Sequence, residues 1–382
     1  MSSRLIGRAL TIYLAASRRS ARKRKKPENI KKVLICHQLL LGDTIMLAPL
    51  FAKLRDEYPN AEVFMAGPKA YVPLFSTNPW GIKATSFDLR HPHTVKKLSR
   101  NGGYDLALIP GDNRFSWIAQ AAGSKWIVGF GGNSSWYKNL FIDEFRSWPS
   151  EAMALGDIFA TLVEGPSPKA YSTDQWKTPP HEPFEIPPRP FAVFHVGASS
   201  PLKLWPPNRW KALAEKLEAM GLRIIFTPGK GETSLVDKID PKSHYQRLDL
   251  DLPQMFKLLR EANLVVSPDT GIAHLARIAG VPSVTLFGPG SATACGPGNF
   301  WINIPWKSAG EQAFSCRDQH TMFGRDSPNI FHCRRSTQEC SKALCMEAIS
   351  VDMALSECKA MLQAPIEPLA YIKPHTLGEK ND

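Results

Sequence analysis

Asp269, Thr270, Gly271 and His274 follow directly on the apolar run Leu264, Val265, Val266 in the stretch LVVSPDTGIAHLARIAGVPSVTLFGPG. A carboxylate, a hydroxyl and a glycine at the end of a buried strand, with an imidazole one turn later, are suited to holding a phosphate or diphosphate. The pattern predicts a strand over 264–266, a loop over 267–271 and a helix over 272–279 that Gly280 and Pro282 terminate. Free backbone N–H groups and the positive helix end favour an anion there, and Gly271 allows it close to the backbone. Thr270 and His274, four apart, share a helical face. The competing reading makes Asp269 an N-cap and His274 a histidine satisfied within the helix.

Three further loops carry comparable groups. In HVGASSPLKLWPPNRW, Ser199, Ser200 and Lys203 lie in a glycine-containing turn before a helix opening near Pro207. Two hydroxyls, loop amides and one ammonium make a diphosphate cradle. In TPGKGETS, Glu232 can accept hydrogen bonds from ribose hydroxyls, or serve as an acid in the first turn of a helix. These loops point to a nucleoside diphosphate. In HQLLLGDTIMLAP, Gly42 and Asp43 form a strand-to-helix turn. Asp43 either caps that helix or, facing a cleft, acts as general base toward a hydroxyl within hydrogen-bond reach.

The elements that must position these groups alternate. Strand 33–36, a helix over about 43–57 and strand 63–66 form a βαβ unit, and YDLALIPGD and WIVGFGG add short apolar strands. Residues 166–190 hold eight prolines with no helical or strand period, as a linker would. Beyond them FAVFHVGAS, RWKALAEKLEAMG and LRIIFTPG repeat strand, helix, strand. The expected architecture is α/β: a basic amphipathic extension over 1–30, a first domain over 31–165, the linker, a second domain over 191–350 with a Cys-rich insertion at 316–345, and a C-terminal helix and tail over 351–382. Parallel sheets facing a central cleft follow from that order.

Length and composition agree with two domains. The 382 residues exceed one ordinary core, and no uncharged apolar stretch approaches the roughly 18 residues that span a bilayer. The net charge of +12 is uneven: residues 1–30 hold nine Lys or Arg against Glu28 alone, a local charge of +8. RLIGRALTIYLAAS followed by RRSARKRKK reads as an amphipathic anchor with a polybasic patch for an anionic membrane surface, or as a solvated tail. A signal peptide is disfavoured because the charge follows the apolar stretch, and nucleic acid because no recognition helix or stacking sheet accompanies the basic run.

Taken in order, LLLGDTIMLAPLFAKLRDEYP, LKLWPPNRWKALAEKL, TPGKGE and SPDTGIAHLARIAGVPSVTLFGP resemble the motifs of the family 9 glycosyltransferases, the ADP-heptose:lipopolysaccharide heptosyltransferases, over about residues 32–350. The resemblance implies the GT-B fold of two Rossmann-like domains, with the acceptor on the first and the nucleotide sugar on the second. It assigns Asp43 as catalytic base at the Gly42 turn, Ser199, Ser200 and Lys203 to phosphate, Glu232 to ribose, and Asp269, Thr270, Gly271 and His274 to sugar and phosphate. It implies inverting transfer of heptose from ADP-heptose to a lipid-linked core saccharide, without a required cofactor, by a cytoplasmic enzyme peripheral on the inner face of the inner membrane. The rivals are a GT-B transferase or epimerase using another nucleotide sugar, and a non-catalytic binder of nucleotide sugars. The basic extension and the insertion around RDSPNIF depart from the family pattern.

Two metal-like patterns remain. Asp249 and Asp251 form Asp-x-Asp but precede DLPQMFKLL, as a loop opening a helix would. Cys316, Cys333, Cys340 and Cys345 could bind a structural zinc, remain thiols or pair; they contain no Cys-x-x-Cys. With three further cysteines scattered, a reducing compartment is the simpler setting.

Overall fold

The computed structural model describes residues 3–18, 24–132, 135–310 and 314–363. The C-terminal tail expected beyond the last helix therefore lies outside the described residues, as does the middle of the basic run. Apolar runs buried on both faces build two parallel sheets, as expected for strands covered by helices on each side.

The first sheet comprises β1 (Lys32–Cys36), β2 (Glu62–Gly67), β3 (Ile82–Ser86), β4 (Leu106–Ile109), β5 (Trp126–Phe130) and β6 (Glu144–Arg146). Its order is β3-β2-β1-β4-β5-β6, every pair parallel, with Val33 opposite both Val63 and Leu106. The order reverses between β1 and β4, so their C-terminal ends open a crevice. The helices are α1 (Ser3–Ser17), α2 (Leu41–Ile45), α3 (Ala48–Glu57), α4 (Pro92–Arg100), α5 (Ser116–Ala121), α6 (Trp136–Asn139) and α7 (Leu155–Ala160). The helix expected over 43–57 is thus two. Pro49 in the first turn of α3 has no N–H to give the Ile45 carbonyl, and the chain turns at Met46 and Leu47.

The second half repeats the plan. Strands β7 (Phe191–Phe194), β8 (Arg223–Phe226), β9 (Gln246–Arg247), β10 (Leu264–Pro268), β11 (Ser283–Leu286) and β12 (Trp306–Ala309) run in the order β12-β11-β10-β7-β8-β9, again parallel. Here the order reverses between β7 and β10. Around them lie α8 (Pro207–Glu218), α9 (Thr233–Ile239), α10 (Leu252–Glu261), α11 (Gly271–Ala279), α12 (Ala292–Cys295), α13 (Leu344–Glu347) and α14 (Val351–Gln363), with a small antiparallel hairpin, β13 (Thr321–Met322) and β14 (Arg325–Asp326). Asp251 accepts from Gln254 N–H in a capping box on α10. That accounts for one carboxylate of the Asp-x-Asp pattern.

The proline-rich segment carries no helix or strand, yet it is packed. Tyr171 and Trp176 are buried; the Tyr171 hydroxyl donates to Ile278 O at 2.8 Å and the Trp176 indole to Leu74 O at 3.3 Å. Trp80 and Phe300, from opposite halves, complete this aromatic cluster. A single apolar core therefore runs from Val33 and Ile35 through to Val193 and Val265.

The N-terminal extension is a docked helix. Gly7, Thr11 and Ala15 face α4 and α5, and a Cβ at Gly7 would overlap the Leu89 carbonyl. Leu5, Ile6, Ile12 and Tyr13 face outward, between 48% and 70% exposed. Part of the basic run is engaged with the protein: Arg18 donates to Ala121 O and Ser99 O, Arg24 pairs with Asp143 at 3.3 Å, and Lys26 with Glu144 at 3.4 Å. Lys25 is exposed, and Arg19, Arg22 and Lys23 of the expected polybasic patch lie outside the described residues.

Candidate active site

The loops after β7 and β10 meet at the crevice of the second sheet. Lys203, in the single turn Pro201–Lys203, reaches across it and donates to the Asp269 backbone carbonyl at 2.9 Å and to Asp269 Oδ2 at 2.7 Å. Burial alone would raise the Asp269 carboxyl, but Lys203, His274 and the Cys295 thiol outweigh it and hold it below the usual carboxylate range. Burial likewise opposes the Lys203 ammonium, and the Asp269 charge carries its pKa above the ordinary value. The pair is ionised at neutral pH.

The strand runs two residues further than expected, through Ser267 and Pro268, and Gly271 is the first helical residue rather than the end of a loop. Thr270, not Asp269, takes the N-cap position of α11, and its side chain makes no cap bond. Thr270 Oγ1 is buried without a partner. Buried hydroxyls are almost always bonded, so one left open beside free helix N–H groups is fitted to an incoming ligand oxygen.

His274 is buried and pushed down to about 3, by burial and by Arg277, with Asp269 opposing. Arg277 donates to His274 Nδ1 at 3.4 Å. A guanidinium has no acceptor, so Nδ1 accepts and Nε2 carries the proton of the neutral ring. Arg277 also donates to Cys295 O at 2.8 Å and Gly296 O at 3.1 Å, and it lies over the Trp301 ring at 5.3 Å. It fixes the floor under His274.

Helix α2 of the first half packs directly on α11 of the second. The contact depends on two glycines. A Cβ at Gly42 would meet the His274 ring at 2.6 Å, and one at Gly271 would meet the Leu41 side chain at 2.8 Å. Asp43, in the first turn of α2 and not its cap, is thereby brought into the fields of Asp269 and Lys203. Burial first, then the Asp269 charge, raise its carboxyl to about 6, with Lys203 opposing. Such a carboxylate is ionised at pH 7 yet a better proton acceptor than an exposed aspartate.

Seven of the expected residues thus gather at one place: Gly42, Asp43, Lys203, Asp269, Thr270, Gly271 and His274. Three stand apart from the cluster. Ser199 is exposed, Ser200 Oγ accepts from Leu202 N–H at 3.3 Å within its own turn, and Glu232 occupies the space left by Gly197 and Gly229, accepting from Gly229 N–H at 3.1 Å. Sequence reasoning missed Arg277 and Cys295, and also Tyr71, whose hydroxyl contacts the Leu41 backbone and feels the Asp43 charge. Arg277 in the second turn of α11 could have been found by helical spacing from His274; nothing local marks the other two.

Of the three fates left open for the four cysteines, the structure has them as thiols, with Cys316 and Cys333 near enough to Cys345 to help raise its pKa. All seven cysteines are free thiols, Cys340 Sγ is turned to the Lys342 carbonyl at 3.4 Å, and Cys345 packs on Gly288. Among the described residues the one group of three or more donors within 4.8 Å of one another is Asp269, His274 and Cys295. There Lys203 already neutralises the carboxylate. No helix among the described residues is long and apolar enough to cross a membrane.

A family model described as glycosyltransferase family 9 (heptosyltransferase) matches residues 93–325. Over 309 residues the chain is 24% identical to lipooligosaccharide heptosyltransferase 2 of Haemophilus ducreyi, covering 70% of this chain and 86% of that protein. Among solved structures, a family 9 glycosyltransferase from Veillonella parvula superposes with a TM-score of 0.66 at 14% identity, covering 88% of this chain and 98% of that one. The ADP-heptose lipopolysaccharide heptosyltransferase II of E. coli gives 0.64 at 18% identity, covering 87% and 98%.

Proposed function

The chain belongs to glycosyltransferase family 9 and is a glycosyltransferase of GT-B fold, and from that membership we propose that it transfers heptose from ADP-heptose to a lipopolysaccharide core saccharide with inversion. The observation that supports this most directly is the glycine-mediated approach of α2 to α11, which sets Asp43 of one half against Lys203, Asp269 and His274 of the other. In this reading the acceptor hydroxyl gives its proton to Asp43 and attacks the anomeric carbon. The bond to ADP breaks, and the charge that develops on the diphosphate is met by Lys203, the Thr270 hydroxyl and the N–H groups opening α11. The neutral His274 offers Nε2–H to the donor, Glu232 takes the ribose, and the Ser199–Ser200 turn lies toward the diphosphate.

The exposed face of α1 supports a peripheral attachment to the cytoplasmic side of an anionic inner membrane, where a lipid-linked acceptor is presented. Nucleotide release tests the reaction. Purified protein with a deacylated core acceptor should release ADP from ADP-heptose and leave UDP- and GDP-sugars intact; absence of ADP release with every acceptor tried would refute the assignment.

A further inference from the structure

The hairpin β13–β14 grows from the second half but ends in the first. At its root Arg317 donates to Gly288 O at 2.8 Å and Gly290 O at 2.6 Å, and Cys333 N–H donates to Pro289 O at 2.8 Å. Gly290 in turn lies against the Asp269 carboxylate. At its tip Phe323 and Gly324 both have positive φ, 51° and 77°, as a two-residue turn with two left-handed positions requires. Phenylalanine is strained there and is held by Phe159 at 6.0 Å and Trp148 at 6.4 Å.

Arg325, buried to 1% exposure, fastens the hairpin to the strand ends of the first sheet. Its Nε donates to Gly131 O at 2.9 Å, one terminal nitrogen to Gly111 O at 2.9 Å and Phe323 O at 3.3 Å, and the other to Asn113 Oδ1 at 2.8 Å and Phe130 O at 3.0 Å. Every guanidinium N–H is satisfied, and the group lies beside the paired rings of Phe130 and Trp148. Arg325 therefore builds a wall and has no donor left for a ligand.

Beside that wall opens a cavity of about 510 Å³, lined by Phe145, Arg146, Trp148, Ser150, Arg325 and Asp326 among others. Arg146 is paired with Glu144 at 2.5 Å and Glu164 at 2.7 Å, and Asp326 Oδ1 stands 2.5 Å from His320 Nδ1. The Trp148 indole N–H donates to Ser327 Oγ at 2.8 Å. What faces the space is an aromatic ring, Phe145, half-exposed, with hydroxyls and backbone groups around it. That is the chemistry of a neutral polyhydroxylated ligand stacked on an aromatic face, not of a phosphate. The cavity lies at the C-terminal ends of β5 and β6, on the same sheet edge as Asp43, and two to three strand spacings from β1 amount to about 10–14 Å.

We propose that this cavity is an acceptor subsite for a neutral saccharide unit, remote from the unit that reacts, and that the donor half builds one of its walls through the 319–332 hairpin. The proposal rests on the transferase reading above. Phe145→Ala removes the stacking face, Ser147→Trp fills the cavity mouth, and Phe145→Trp is the conservative control. For an extended core oligosaccharide both disruptive variants should raise the acceptor KM about tenfold, leave kcat and the donor KM unchanged, and leave a one-unit acceptor unaffected, while Phe145→Trp retains wild-type values. An unchanged KM for the extended acceptor in both variants overturns the subsite. If the wild type releases no ADP with any acceptor, saturation-transfer NMR of the oligosaccharide decides separately: signal lost in Ser147→Trp supports the pocket, and equal signal in both proteins overturns it.

Discussion

Asp43 carries the clearest residue-scale consequence. With its carboxyl raised to about 6, chiefly by burial and then by Asp269, kcat/KM should rise with pH along a limb centred near 6. Asp43→Asn should cost about 10²–10⁴ in kcat while donor binding persists, and retained turnover would remove Asp43 from the base role. The sign for stability is opposite. A carboxyl whose folded pKa lies above its unfolded value of about 3.9 binds more protons when folded across that window, so its contribution becomes more favourable as pH falls from 6 toward 4. Above pH 6 the ionised, half-buried group costs stability, so Asp43→Asn should melt higher than wild type at pH 8 and equally below pH 4, as calorimetry can check. Asp43, Lys203 and Asp269 were legible because a charged residue at a strand end has few roles. Spacing from His274 could have pointed to Arg277, but its role, like that of Cys295, depends on which rings and carbonyls the loop over 292–301 brings beneath α11.

At the scale of elements, the α2–α11 contact sets the distance between proton acceptor and donor pocket. Gly271 is helical, so alanine there meets no backbone strain, only the Leu41 side chain. Gly271→Ala should therefore displace α2 and lower kcat roughly ten- to hundredfold; wild-type kcat would show that the contact does not set catalytic geometry. The strands could be read directly, since a run such as LVV or FAVF buried on both faces has one plausible use. The break between α2 and α3, the hairpin and the docking of α1 could not, because Pro49, Arg325 and Gly7 act through partners 4, about 200 and about 80 residues away.

For the whole molecule, the peripheral attachment proposed above uses the outward face of α1 as its lipid-facing surface. Deleting the helix would uncover Ala119 and its neighbours in the core beneath, so the cleaner test keeps it. Ile12→Glu with Tyr13→Glu, both exposed, should reduce sedimentation with anionic vesicles and leave activity on soluble acceptors intact; unaltered sedimentation would count against attachment there. The tandem Rossmann-like plan was legible from the repeated strand and helix order on either side of the prolines. The proline-rich segment joins the two halves without helix or strand of its own, but composition does not reveal that Tyr171 and Trp176 are interior residues.

Those two side chains, with Arg325 on the opposite flank, also set how the protein responds to heat. Two sheets of this size could melt one after the other. Here each half contributes walls to the other's interior, so neither retains a complete core once its partner has lost its own. Scanning calorimetry should give one transition with calorimetric and van't Hoff enthalpies in agreement, and two resolved transitions would show the halves to be independent. By the same reasoning, a variant that loosens one sheet's wall should be felt as lost stability at the far end of the other.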